Sequence, residues 1–363
     1  MSNAVQILQD LKSSFAIRGG GHMPIANAAN INSSGLSLSE DEYTIKVGPG
    51  NRWSNIYDYL EPYGLTVVGG RLGHVGVPGY IIGGGVSNFS NEYGWASANV
   101  ASITVRVAKV TPDNEYSDLF WALRGGSISF ALVTNFELKT IRAPKVTIGM
   151  ASYGSGVAEK FIDAVQSFTM EGSKAPKAAT IPMAEYFSAL IRLSPAALKS
   201  FLGSDLNASR STFSSRSMSK WSKELDPALS LLKGSKQRFS MLNFHASNKQ
   251  AISIVHDTFM EVAKDSLPFG VLVAALAFPA VTEKSITAST ANDGDPQSLD
   301  VNGAPYIWEK ANGQIVKNLQ AAGIELAKSI YLNDNLERLK SIRAKYDPDR
   351  VFTDLMPGGF KVA

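Results

Sequence analysis

Between Val67 and Gly94 the chain reads VVGGRLGHVGVPGYIIGGGVSNFSNEYG, with glycine at 69, 70, 73, 76, 79, 83, 84 and 85. Glycine loses more conformational freedom on ordering than any other residue, so a run this dense among apolar neighbours needs a physical reason. Backbone that turns sharply and comes close to something large and flat, or anionic, supplies one. Within the stretch neither lysine nor a carboxylate occurs before Glu92. That argues against a metal or a nucleic-acid strand as the neighbour, and for a buried organic cofactor.

The rest of the composition narrows the class. A chain of 363 residues has room for one large domain or two ordinary ones. A hydrophobic share of 44% with mean hydropathy of -0.03 describes a globular protein with a substantial core. No apolar run reaches the length of a bilayer span, so no membrane partner is expected. A formal charge of +3 leaves no basic face for nucleic acid. The absence of cysteine excludes disulfides, zinc ribbons and thiol catalysis together. Asp293, Asp295 and Asp300 lack the spacing of a calcium loop, and no metal site is expected. The amphipathic opening MSNAVQILQDLKSSF shows no secretory pattern, which reads as cytoplasmic.

Read in order, residues 3–14 carry a helical apolar stripe, and Phe15-Ala16-Ile17 is a short strand stopped by Arg18-Gly19-Gly20-Gly21-His22. A strand followed by glycines is a common way to present backbone N–H groups to a phosphate. Arg18 would add a bidentate partner for it. Tyr43–Val47 alternates as a strand; Asn55–Leu60 reads as a helix with Trp53 packed at its start. Leu65–Val68, Ile103–Val107, Phe130–Phe136 and Glu137–Ile141 are expected strands, and Asp118–Leu123 a helical turn. Past Pro144 the texture becomes glycine-poor, with strands expected at Val146–Met150 and Thr180–Met183 and helices at Val157–Phe168 and Ser253–Ala263. A helical stretch is expected around Ser211–Leu232, and a central strand within Phe269–Phe278. Ser329–Asn333 alternates as a strand. Asn335–Lys345 is a helix with Leu336, Leu339 and Ile342 inward. His245 and His256 read as structural; His74 reads equally as a pocket or a surface residue.

Four stretches taken together are familiar: FAIRGGGHMP at 15–24, the glycine stretch at 67–94, DLFWALRGGSISFALVT at 118–134 and NLERLKSIRAKYDPDRVFTDLMPGGF at 335–360. In this order they resemble the berberine-bridge-enzyme-like flavoproteins of the vanillyl-alcohol-oxidase superfamily. The resemblance implies an α+β chain, with a two-part FAD-binding domain over 1–142 and 334–363. A substrate domain over 143–333, with an antiparallel sheet, would roof the flavin.

By position, the resemblance puts Arg18, Gly19, Gly20, Gly21 and His22 on the pyrophosphate loop, with His22 as the covalent anchor of FAD. Gly69, Gly70, Gly76, Gly79, Gly83 and Gly84 match backbone around the flavin ring and pyrophosphate, with Val75 and Val77 as walls. Val133 matches backbone near the adenine. Tyr331 and Asn333 match a Y-x-N strand beside the flavin, where tyrosine helps deprotonate the substrate. Leu72 stands where the family places a second, cysteine anchor, so at most one covalent link remains. The chain is also short between Gly35 and Glu42, between Val107 and Thr111 and between Asn333 and Leu336. The implied activity is oxidation of a small organic molecule by hydride transfer to the flavin. A non-redox cyclase on the same scaffold and a silent binding protein are the other readings at this point.

Overall fold

In the computed structural model of the protein, the described residues are 2–15, 35–105, 108–187, 208–224, 226–227, 242–266, 273–291, 294, 296–297, 306–309, 313–324, 333–356 and 361–362. The chain opens with helix α1 (Ser2–Asp10). Six strands then form one antiparallel sheet: β1 (Leu36–Leu38), β2 (Thr44–Val47), β3 (Leu65–Val67), β4 (Val100–Val105), β5 (Ala108–Val110) and β6 (Val133–Arg142). The order is β1-β2-β6-β4-β5, and β3 pairs with the far end of β6, Leu65 opposite Arg142. The long strand β6 is therefore the spine. Alternation buries Phe136 and Leu138 against the core, and Val133, past a register shift opposite Thr104 and Val105, is buried as well.

Helix α2 (Trp53–Leu60) covers this sheet because Trp53, Ile56, Tyr57 and Leu60 recur at helical spacing, and all four are buried. The glycine stretch folds into two short helices that the sequence reading did not anticipate, α3 (Val77–Ile82) and α4 (Ser90–Tyr93). Helix α5 (Ser117–Leu123) buries Leu119 through Leu123 almost continuously.

Glu137 lies mid-spine on β6 and receives Lys109 Nζ at 2.8 Å, Ser102 Oγ at 2.6 Å and Thr44 Oγ1 at 3.1 Å. Burial alone would raise its pKa, but the hydrogen bonds from Lys109, Ser102 and Thr44 outweigh burial and bring it down to about 2. A carboxylate with a depressed folded pKa stabilises the fold above its unfolded value and loses that contribution as pH falls toward the folded one. Glu137→Gln is thus expected to cost on the order of 2–3 kcal/mol at pH 7, with the difference from wild type shrinking below about pH 4. Urea midpoints at pH 7 and pH 3 check this; an equal gap at both would refute the charge-based account.

The middle of the chain is built from shorter antiparallel pairs. β7 (Val146–Ile148) and β8 (Ala151–Ser152) lead into α6 (Ala158–Glu171) and β9 (Met183–Phe187). Then come β10 (Arg210–Ser211), β11 (Ser214–Arg216), α7 (Met218–Ser222), β12 (Leu242–His245) and α8 (Lys249–Ser266). They are followed by β13 (Val273–Ala277), β14 (Ala280–Val281), α9 (Glu283–Thr290), β15 (Tyr306–Glu309) and α10 (Gly313–Ala321). The pairs are β7 with β11, β8 with β10, β9 with β13, and β12-β15-β14. The chain returns through α11 (Asn333–Tyr346) and α12 (Val351–Asp354).

Buried side chains fall into two main clusters. One joins the six-stranded sheet, α2, α3 and α5 to Leu339, Ile342 and Val362. The other gathers Phe161, Val165, Phe244, Ile252, Val255, Leu276, Phe278 and Leu319. Helix α11 docks by apolar contact and by charge: the Arg338 guanidinium lies 3.9 Å over the Trp121 ring, and Lys345 Nζ is 2.7 Å from Asp118.

Several elements differ from the sequence reading. Residues 211–224 form strand ends β10 and β11 plus one helical turn, because β7 and β8 supply edges to pair with; pairing outside the segment overrides local propensity. Met218 and Trp221 also pack against the first cluster. The strand expected from Thr180 begins only at Met183, and the one expected from Phe130 only at Val133. The strand expected at 329–333 lies outside the described residues except for Asn333, which opens α11.

Candidate functional site

The glycine stretch owes its local shape to three aromatic rings. A Cβ on Gly69 would fall 2.4 Å from the Trp53 ring, and one on Gly70 2.3 Å from it. A Cβ on Gly85 would fall 2.5 Å from the Tyr80 ring. Trp53 stacks on Tyr57 with centroids 6.3 Å apart and meets Tyr80 edge-on at 5.3 Å. The Tyr57 hydroxyl donates to the Gly70 carbonyl at 2.9 Å, and the Tyr80 hydroxyl donates to that of Val86. Burial pushes both phenols above their ordinary pKa, so both stay protonated and neither serves as a base. Gly69 and Gly70 are therefore required by the packing of this protein's own rings.

Gly79 and Gly83 are different. Gly79 lies on α3 and Gly83 caps its C-terminal end one turn later, both exposed. Among the described residues nothing lies within 4 Å of a Cβ built on Gly79, and Gly83 meets only backbone of its own turn. This is a strip of bare backbone that any side chain would fill. It fits the flat ring of a flavin.

Beyond the strip, Gly84 has φ of +93° and faces the Gln297 amide, whose Nε2 donates to the Gly83 carbonyl at 2.9 Å. The stretch is then welded to the second cluster. Asn91 Nδ2 donates to the Ala178 carbonyl at 2.8 Å, Thr282 Oγ1 donates to Asn91 Oδ1 at 2.7 Å, and the Trp95 amide donates to Ser289 Oγ at 2.8 Å. Trp95, Val281 and Ile286 form a small buried cluster at this seam. Gly94, at φ of +78°, lets the Ser289 backbone approach: a Cβ there would be 2.7 Å from its nitrogen.

The other expected site residues distribute as follows. Gly76 is extended at the entry to α3, and Val75 packs partly against the first cluster while its carbonyl accepts from the Trp53 amide at 3.1 Å. Val77, expected as a wall, is fully buried in that cluster. Val133 is buried at the start of β6, opposite Val105. Arg18, Gly19, Gly20, Gly21, His22 and Tyr331 lie outside the described residues. His74 turns toward α7, with Nδ1 3.5 Å from Asp226 Oδ1. One residue that sequence reasoning passed over is Arg71, the only full charge between Val67 and Glu92. Its side chain is partly buried beside Tyr80, and burial lowers its pKa. The signal was available: a cation inside a run of glycine and apolar residues.

Among the described residues no cluster of side chains suits a metal ion, and no helix is long and apolar enough to cross a membrane.

Comparison with known proteins places these features in context. A sequence model of the FAD binding domain matches residues 1–111, and one for berberine and berberine like proteins matches residues 318–354. The FAD-dependent monooxygenase prx3 of Penicillium roqueforti is 30% identical over 432 aligned residues, covering 100% of this chain and 84% of that protein. The FAD-dependent monooxygenase tpcD of Cochliobolus heterostrophus is 28% identical over 438, covering 100% and 82%. Both alignments are longer than the 363 residues of this chain. Among solved structures, glucooligosaccharide oxidase from Acremonium strictum, which carries a 6-S-cysteinyl, 8α-N1-histidyl FAD, superimposes with a TM-score of 0.67 at 17% identity, covering 98% of this chain and 89% of that one.

Proposed function

Since the chain belongs to the berberine-bridge-enzyme-like FAD-linked oxidoreductases, we propose that it oxidises a small organic substrate, of the secondary-metabolite, alcohol or sugar-like class, with FAD held through His22. The observation that carries this reading is the bare strip of Gly79 and Gly83, inside the segment that the FAD-binding family matches. When bound, FAD supplies a two-electron acceptor that takes a hydride from a substrate carbon.

The remaining work falls to the chain. Residues 1–142 and 334–363 hold the cofactor, and residues 143–333 shape the substrate pocket, a division supported by the two buried clusters. Arg18 and Gly19–Gly21 bind the pyrophosphate through guanidinium and backbone N–H groups. Gly79 and Gly83 let the ring lie against backbone, Gly84 turns the chain at its edge, and the buried Val133 backs the adenine. Tyr331 takes the substrate proton. Its phenol, with an ordinary pKa near 10, needs a positive or donating neighbour to do so at neutral pH. Asn333, at the start of α11, lies beside the flavin. Leu72 cannot form a thioether, so the attachment through His22 is single. Nothing in the charge distribution suits a nucleic acid, and a small molecule is the partner this site fits.

The visible spectrum of the purified protein, before and after acid precipitation, tests the reading. Wild type is expected to be yellow and to keep its flavin absorbance in the precipitate. His22→Ala should release essentially all flavin to the supernatant. Flavin released equally from both would refute the covalent link; a protein that never takes up FAD would refute the cofactor reading itself.

A further inference from the structure

Gln297 belongs to the part of the chain proposed to shape the substrate pocket, yet its side chain is buried against the turn that ends the glycine strip. The residue is 5% exposed, and a Cβ built on Gly84 would fall 2.7 Å from its Oε1 and 2.9 Å from its Nε2. The segment that carries it is fastened to the cofactor part at two further points. Arg124 Nη2 donates to the Gly294 carbonyl at 3.2 Å, and Asn335 Nδ2 donates to the Pro296 carbonyl at 3.2 Å. Gln297 therefore reaches the turn from an anchored backbone, and its Nε2 donates to the Gly83 carbonyl at 2.9 Å.

What that bond does follows from its neighbours along the turn. The Ile82 carbonyl accepts from the Ser127 amide at 2.9 Å, that of Gly84 from the Ser97 amide at 2.9 Å and that of Gly85 from the Ala96 amide at 2.8 Å. The Val86 carbonyl accepts from the Tyr80 hydroxyl. Of these five successive carbonyls, that of Gly83 alone is held by a side chain from the substrate part. It also lies in the peptide that turns over most easily, because glycine flanks it on both sides. Gly83 stands at φ −96°, ψ 12°, and Gly84 at φ +93°. Half a rotation of the peptide between them leaves both residues in regions that glycine adopts freely. What opposes it is the Gln297 bond and the bond from the Gly84 amide to the Ile81 carbonyl at 3.0 Å. No atom of Gln297 lies within 4 Å of a Cβ built on Gly83, so the carboxamide sits off the bare face and draws the oxygen toward itself.

We infer that Gln297 is a positioning residue for the flavin, which keeps the Gly83 carbonyl turned off the strip on which the ring is proposed to lie. The inference rests on the FAD reading above. A carbonyl turned onto the strip would set the negative end of a peptide dipole against a ring that gains electron density on reduction. Loss of the Nε2 donor therefore makes the bound flavin harder to reduce.

The test uses the whole chain, with and without FAD, and two variants. Gln297→Met keeps the length of the side chain and removes the donor. Gln297→Glu offers an O–H donor only while its carboxyl is protonated. In the FAD-free protein, hydrogen exchange at the Gly84 amide is expected to be about tenfold faster in Gln297→Met, with exchange in α2 unchanged. In the loaded protein, poised against a reference dye, the ratio of oxidised to reduced flavin should rise about tenfold, which for a two-electron couple is about 30 mV. Gln297→Glu should depart from wild type in the same direction at about pH 9 and lose most of that difference at about pH 5, which a space-filling role would not produce. The Gln297→Glu pair of measurements compares one protein with and without the donor, and so guards against a misfolded Gln297→Met. A wild-type potential in Gln297→Met at full flavin content, unchanged Gly84 exchange, or a Gln297→Glu difference that ignores pH would each overturn the inference and leave the FAD reading standing. A wild type that takes up no FAD would overturn both.

Discussion

Replacing Gly79 with leucine is expected to leave the fold intact and strip it of FAD. The two effects have opposite signs for physical reasons that the structure separates. Gly79 sits inside α3, and among the described residues a side chain there meets no atom within 4 Å. Any residue other than proline therefore improves on glycine in the helix, by up to about 1 kcal/mol. The same open space is where the flavin ring is proposed to lie, so a leucine side chain occupies it. Retention of FAD is expected to fall at least about tenfold, equivalent to roughly 1.4 kcal/mol, while the melting temperature of the FAD-free protein holds or rises. Flavin content per chain and the melting curve of stripped protein are the two readouts. Full flavin occupancy in the Gly79→Leu variant would show that the strip faces something else.

Tyr331→Phe is the second large effect. Removing a positioned general base costs on the order of 10²–10⁴ in the step it assists. The expected outcome is a slower anaerobic bleaching of the flavin by any compound that bleaches the wild type, with the loss of a pH dependence set by the phenol. Flavin content and reduction by dithionite should not change, since neither needs the phenol. Bleaching at the wild-type rate and with the wild-type pH profile would assign Tyr331 to the pocket lining instead.

Sequence patterns revealed the parts of this fold whose periodicity belongs to one element. Trp53, Ile56, Tyr57 and Leu60 announced α2, and Leu336, Leu339 and Ile342 announced α11, because a helix buries what its own spacing aligns. The glycines were harder to read. Lack of a Cβ has the same signature whether the close neighbour is a cofactor or the protein itself. At Gly69 and Gly70 it is the Trp53 ring, at Gly94 it is the backbone of α9, while among the described residues Gly79 has no neighbour and Gly83 meets only backbone of its own turn. Residues 211–224 misled for another reason: serine-rich segments have weak local preferences, and the edges of β7 and β8 decided their conformation. Arg71 was missed because motif reading attends to the glycines that surround it.

The first buried cluster has a consequence for how the chain is made. Ile45, Val47, Phe136 and Leu138 come from the early part of the chain, while Leu339, Ile342 and Val362 complete the same cluster from the far end. The Val362 amide reaches back to Ser129 Oγ at 3.0 Å. On the ribosome, the six-stranded sheet emerges with one flank open and stays so until residues 143–338 have been synthesised. Contacts of such long sequence separation form late, and exposed apolar surface invites association meanwhile. The second cluster, which draws on residues 151–319, can assemble in that interval. Helix α11 then acts as a closing clasp, and loss of Leu339 should appear first as a lower yield of native chains during synthesis.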